Sequence, residues 1–163
     1  MEVDVLLADI LTNEFNISAD RVVIYNQNFV APSDDELYII VKIRDDKIIS
    51  SKIEFDESSK EEVKSVVIFT RLNIILTSKN ESAKLRKHEA ITSLKSYYSE
   101  GVQQQNNIKI MRIGDILDGS FVEGSSSLYR YIIPVMISSV EIKRTSIDYY
   151  DKFRDQEIVI NRR

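Results

Sequence analysis

The segment Val66-Val67-Ile68-Phe69-Thr70-Arg71-Leu72-Asn73-Ile74-Ile75-Leu76 runs almost directly into a helical pattern, and this junction constrains the fold most. β-Branched and aromatic residues dominate the first part, which predicts one long strand. Ser78-Lys79-Asn80-Glu81 spells a capping box. Ser78 would accept from the backbone N–H of Glu81, and Glu81 would reach back to Ser78. Ala83, Lys87, Ala90, Ile91, Leu94, Tyr97 and Tyr98 then recur at helical spacing, and Gly101 stands where a left-handed cap would end the helix. The apolar faces match, so Leu72, Ile74 and Leu76 are expected to pack on Ala90, Ile91 and Leu94.

Val3, Leu6, Leu7, Ile10, Leu11 and Phe15 predict a first amphipathic helix, with Asp4 and Asp9 near its positive end. Arg21–Tyr25 predicts a short strand. Leu37–Ile43 predicts a second strand, apolar enough to be covered on both faces. The polar stretch from Asn26 to Asp35 around Pro32 predicts a loop. Arg44–Lys64 is charged and only weakly alternating, so it reads as an excursion from the domain body. Its Asp56–Glu62 portion would be a hairpin tip or one helical turn. Ile108–Ile113 alternates apolar and basic residues, a half-buried strand. Gly114–Ser127 reads as a long loop. Leu128–Lys143 is a last long strand, with Tyr131, Ile133, Val135 and Ile137 on one side and Arg130, Ile132, Pro134 and Met136 on the other. Pro134 cannot donate to a ladder and predicts an edge or a bulge. The expected class is α+β: a mainly antiparallel sheet with two principal helices packed on it. Residues 1–143 would form one domain, with 144–163 a C-terminal arm.

The composition narrows the function. With 163 residues, 43% hydrophobic and 29% charged, the chain can bury a real core. No apolar run approaches the ~20 residues of a membrane span. The acidic start, Met1-Glu2-Val3-Asp4, lacks a basic signal-peptide region, and cysteine is absent, which points to assembly in a cytoplasm. A net charge of −4 does not favour a general nucleic-acid surface. His88, the one histidine, falls in a charged helical stretch and has no cysteine or second histidine to share a metal with. The pairs Asp34-Asp35, Asp45-Asp46 and Glu61-Glu62 would point to opposite faces of a strand, so none forms a carboxylate site by itself. Gly114, Gly119 and Gly124 do not spell a phosphate loop. Lys84, Arg86, Lys87 and Lys95 would be a basic patch, but Glu81, Glu89 and Glu100 interrupt it. No catalytic, metal or cofactor residues are assigned, and the expectation is a protein that is not an enzyme. Tyrosine and arginine favour interfaces. Tyr129, Arg130, Tyr149, Tyr150 and Phe153 are therefore candidate contact residues, together with Glu54, Asp56 and Glu57 at the tip of the excursion.

The order of these motifs resembles the tail-terminator and neck-terminator proteins of long-tailed bacteriophages. The matching features are the N-terminal helix, the Asn26-Gln27-Asn28-Phe29-Val30-Ala31-Pro32 loop and the strand Tyr38-Ile39-Ile40-Val41. They continue with Asn80-Glu81-Ser82-Ala83, the helix end Leu94-Lys95-Ser96-Tyr97-Tyr98-Ser99, and the strand from Arg130 through Tyr131-Ile132-Ile133-Pro134-Val135. The resemblance covers residues 1–143. It implies a virion structural subunit forming a ring, expected to be hexameric, that caps the tail tube and joins it to head-completion or connector proteins. Contact with a sheath and passage of DNA through the lumen without specific binding would follow. The implied location is the virion tail or neck, after assembly in a host cytoplasm. The alternatives are another neck or tail-tube subunit, such as a head-completion stopper, and an unrelated intracellular protein-binding module.

Overall fold

A computed structural model describes residues 2–25, 33–123 and 126–146. Its order is α1 (Val3–Phe15), a 3-10 turn (Ala19–Arg21), β1 (Val22–Ile24), β2 (Tyr38–Asp56), β3 (Glu61–Ser78), α2 (Ser82–Ser93), α3 (Tyr97–Gln105), β4 (Ile108–Ile113), β5 (Leu117–Asp118), β6 (Phe121–Glu123) and β7 (Ser126–Ser146). The class is α+β: a mixed seven-stranded sheet in the order β1-β2-β3-β7-β4, with β5 and β6 added along β7. All pairings are antiparallel except β1 with β2, where Val23 faces Ile40.

The helices cover one face of one half of this sheet. Ile39, Val41, Leu72, Ile74, Leu76, Tyr131, Ile133, Val135 and Ile137 line that face and are buried with Leu6, Leu7, Ile10, Leu11 and Phe15 of α1 and Ala83, Ala90 and Leu94 of the α2 region. Alternate residues of a strand share a face, so the run Ile74-Ile75-Leu76 serves both sides. Ile75 packs with Tyr38 and Ile40 in a smaller cluster behind the sheet. Arg86 ties α2 to α1: its Nη2 donates to the Phe15 carbonyl at 2.8 Å while the guanidinium lies 4.7 Å from the Phe15 ring centre. Glu89 holds it from the other side at 2.6 Å and raises its pKa. Tyr98 of α3 donates to Asp9 of α1 at 2.8 Å.

Several local expectations change. The helical region is two helices, broken at residues 94–96. Ser96 caps α3, its side chain accepting from the Ser99 N–H at 3.0 Å. Gly101 lies inside α3 and caps nothing. Tyr97, expected on the apolar face, is 93% exposed because the break rotates α3 away from the α2 stripe. The capping box does not form. Ser78 Oγ accepts from the Ala83 N–H at 2.9 Å, and Asn80 Oδ1 accepts from the Ser82 N–H at 2.9 Å, so the capping duty shifts to these two side chains. Pro134 lies inside the sheet, opposite Asn73. Its carbonyl turns to the β4 side and accepts from Gly114 N at 2.7 Å. The N–H it lacks would point the same way, where the β4 ladder has already ended at Ile113. A Cβ at Gly114 would come within 3.3 Å of the Pro134 carbonyl oxygen, so this close crossing favours glycine. The expected 114–127 loop carries the short strands β5 and β6.

Leu94 is 2% exposed within the main core. Leu94→Ala is expected to cost about 2–5 kcal/mol. Urea unfolding measures this, and a loss within error would mean that the α2 end is not anchored in the core.

Candidate functional site

β2, β3 and β7 continue well past the helices. Residues 44–56, 61–69 and 138–146 form a three-stranded ribbon whose tip is the turn at residues 57–60. The segment 44–64 is thus one edge, the tip and part of the centre of a longer arm. From Tyr129 to the tip at Ser146 is about 55 Å at the usual strand rise.

Two irregularities in β2, between Ile43 and Asp45 and between Ile48 and Ser50, each shift the register by one residue. A one-residue slip reverses which side chains face which way. From the pairing, the face continuous with the helix-covered core carries Ile48, Ser51, Ile53 and Phe55 of β2. It also carries Ile68, Val66, Lys64 and Glu62 of β3, and Ser139, Glu141, Lys143 and Thr145 of β7. The reverse face carries Lys47, Lys52, Glu54 and Asp56, then Phe69, Val67, Ser65, Val63 and Glu61, then Ser138, Val140, Ile142 and Arg144. The ion pairs respect this division. Lys64 meets Glu62 at 2.8 Å on the first face. On the reverse face Lys52 pairs with Glu54, and Arg144 approaches Asp56 at 3.6 Å and Glu61 at 3.5 Å.

Large apolar side chains on the arm are exposed: Ile48 67%, Ile53 66%, Ile142 59%, Ile49 46%, Val140 41% and Phe55 39%. Among the described residues no helix or further strand pairs with either edge of the outer arm. At the root, where the helical layer stops, Asp46 accepts from the buried Thr70 hydroxyl at 2.6 Å. A cavity of about 550 Å³ opens there between Glu2, Val3, Asn106, Ile68, Thr70 and Glu141.

At the tip, Asp56 organises the turn. Its carboxylate accepts from Ser58 Oγ at 2.6 Å, Ser58 N at 3.0 Å and Ser59 N at 3.4 Å. Hydrogen bonds from Ser58 first, and then Ser59, lower its pKa to about 2. The region expected to be a hairpin tip or a helical turn is the former, with Lys60 at φ 53°.

The sequence-selected contact residues are not brought together. Glu54, Asp56 and Glu57 stand at the arm tip. Tyr129 and Arg130 begin β7 at the other end of the sheet, half-buried, with Arg130 Nε buried and lacking a hydrogen-bond partner. Tyr149, Tyr150 and Phe153 lie outside the described residues. Sequence reading missed the exposed isoleucines of β2 and the β7 contribution to the arm. The signal available was the isoleucine spacing at 48, 49 and 53, which the two shifts disguise. His88 is exposed. Asp45 and Asp46 point to opposite faces and bind Arg71 and Thr70 separately, both at 2.6 Å. Among the described residues no group of three or more His, Cys, Asp or Glu could hold a metal ion. No helix among them is long and apolar enough to cross a membrane.

No protein-family model matches the chain. No curated protein matches it. Among solved structures, similarity is found to the type 4 fimbrial biogenesis protein PilO of Pseudomonas aeruginosa, with 10% identity, a TM-score of 0.32, and coverage of 87% of this chain and 70% of that one. The core region of PilO from the type IV pilus system of the same organism matches at 9% identity and a TM-score of 0.25, covering 66% of this chain and 83% of that one. Likeness this slight assigns no function. These findings overturn the bacteriophage expectation. No family model or curated protein supports the resemblance, and the solved structures named above are pilus proteins, not tail terminators. The terminator role, the hexameric virion ring and the virion location are withdrawn, and the tube, sheath and connector partners that followed from them are not carried forward. The physical reason is that the matching motifs were diffuse: a helix, apolar strands and a capped helix are shared by many α+β folds. The Asn26–Pro32 loop that contributed to the resemblance lies outside the described residues.

The folded pKa of Asp56 lies below the usual carboxylate value of about 3.9. The turn's stabilisation is therefore complete above that value and is lost as pH falls toward 2. The Ser58 amide proton shift, followed by NMR, is expected to titrate with a midpoint near 2. Asp56→Asn should abolish that titration. A midpoint near 4 would mean that the turn does not hold the carboxylate.

Proposed function

We propose that this chain is a non-catalytic protein-assembly module, and that its three-stranded arm docks on a second copy of the same chain. One observation carries the reading: the arm exposes Ile48, Ile53 and Phe55 on the face that continues the buried core. Exposed contiguous apolar surface of this kind marks interaction sites.

The β7 side of this face is self-complementary in charge. Counting from the tip, successive cross-strand rows are Phe55–Glu62–Thr145, Ile53–Lys64–Lys143, Ser51–Val66–Glu141 and Ile48–Ile68–Ser139. A two-fold axis between the second and third rows lays Lys143 of one copy over Glu141 of the other. It lays Phe55 over the Ile48–Ile68 row. Such a contact is isologous, each patch meeting its own image. Two faces about 14 Å by 30 Å, with their edges, come to the order of 1,000 Å², near the lower bound for a specific interface.

Size-exclusion chromatography with light scattering tests this. The chain is expected at the mass of two copies at high micromolar concentration. Ile48→Asp with Ile53→Asp should give a folded monomer, whereas Ile142→Asp on the reverse face should leave the dimer intact. A monomeric parent chain, or equal disruption by Ile142→Asp, would overturn the proposal.

A further inference from the structure

We propose that a row of three arginines on the helix-free face binds an extended acidic segment of a partner protein. The site lies where the arm joins the domain body, on the face opposite Ile48 and Ile53, and does not depend on the arm's self-association.

The row is set by register. Asp45, beside Arg44, faces Arg71; Arg71 faces Met136; Met136 faces Arg112. Arg44, Arg71 and Arg112 thus come together from β2, β3 and β4, although they are far apart in sequence. They line one cavity of about 450 Å³ whose other walls include Leu117, Pro134 and Met136. Arg71 Nε donates to Asp45 at 2.6 Å. Arg44 and Arg112 are exposed, and among the described residues neither guanidinium has an ion-pair or hydrogen-bond partner. Arg44 and Arg71 root on adjacent strands, and Asp45 balances only one of the two. Yet the chain as a whole has a net charge of −4. Lys109 adds charge on the same face, since it pairs with Ser138, two residues beyond Met136. Asp115 lines the cavity and keeps the site from being uniformly basic.

The chemistry favours carboxylates on a peptide. Arginine forks match carboxylates bidentately. Strands lie about 4.8 Å apart, so guanidiniums rooted one and two strands apart begin roughly 5 and 10 Å from one another. Alternate residues of an extended peptide lie about 6.7 Å apart on one side, within arginine reach of that spacing. Pro134, Met136 and Leu117 supply an apolar floor for the peptide backbone. Single-stranded nucleic acid fits less well, because no aromatic side chain lines the cavity to stack a base.

Fluorescence anisotropy on the full chain tests the site. The probe is a fluorescein-labelled extended peptide with aspartates at alternate positions. Its asparagine counterpart and a labelled oligothymidylate are the rivals. The aspartate peptide is expected to bind saturably and to weaken with added salt. Arg112→Gln and Arg44→Gln should each weaken it at least tenfold, while Lys84→Gln on α2 should not. Both arginines are exposed, so unchanged circular dichroism is expected; if one variant fails to fold, the other decides. Four results would overturn the proposal: no saturable binding, equal binding of the asparagine peptide, unchanged affinity in the folded arginine variants, or tighter binding of the oligothymidylate.

Discussion

A mismatch in length between helices and strands governs this structure. A helix rises about 1.5 Å per residue and a strand about 3.3 Å. α1, α2 and α3 have 13, 12 and 9 residues, while β2, β3 and β7 have 19, 18 and 21. Helices of this size cover about 20 Å of strands that run about 60 Å. The hydrogen-bond ladder does not stop where the cover stops. β3 is paired on both sides from Glu61 to Thr77, and that continuous pairing holds the uncovered half in one piece with the body. The arm follows from the ladder, and its exposed isoleucines follow from the missing helices.

The covered half was readable because its patterns are regular. The α1 stripe, the Val66–Leu76 run and the two-sided alternation of β7 each map onto observed burial. β2 was not readable as one strand, for two physical reasons. Asp45 and Asp46 have low strand propensity, but pairing to Arg71 and Thr70 keeps them extended, so tertiary context overrides propensity. The two register shifts then break the two-residue period that a sequence reader relies on. The break between α2 and α3 did have a local signal, Ser96 three residues before Ser99, which the apolar spacing of Tyr97 and Tyr98 masked. The parallel pairing of β1 had none, because it depends on where β2 lies.

Strand register governs the candidate sites as well. A net charge of −4 describes the whole chain and says nothing of how strands sort charge between faces. Arg44, Arg71 and Arg112 share a row only because a shift at Ile43/Asp45 and another at Ile110/Arg112 turn them the same way. Strand alternation separates the acidic pairs, as expected of adjacent residues: Asp45 from Asp46, and Glu61 from Glu62. Chemistry distributed over four strands is invisible until the register is known.

The arm's edges and faces are treated differently, and this bears on how it docks. Open edges invite indiscriminate strand addition, and proteins blunt them with bulges and charged side chains. The β2 edge carries both devices: two register shifts, and Lys47 and Lys52 between its isoleucines. The outer β7 edge carries Glu141, Lys143 and Arg144 around Ile142. β4 is blunted too, since the Gln103 side chain accepts from Ile110 N at 2.8 Å and occupies an outward N–H. Charges on the faces are instead paired, Lys64 with Glu62 on one, and Lys52 with Glu54 and Arg144 with Asp56 and Glu61 on the other. Ile48 and Ile53 stand about two-thirds exposed while the strands bearing them resist pairing at their margins. This contrast favours recognition through side chains on a face, where register and charge order can select a partner, over main-chain addition at an edge, which would accept almost any extended chain.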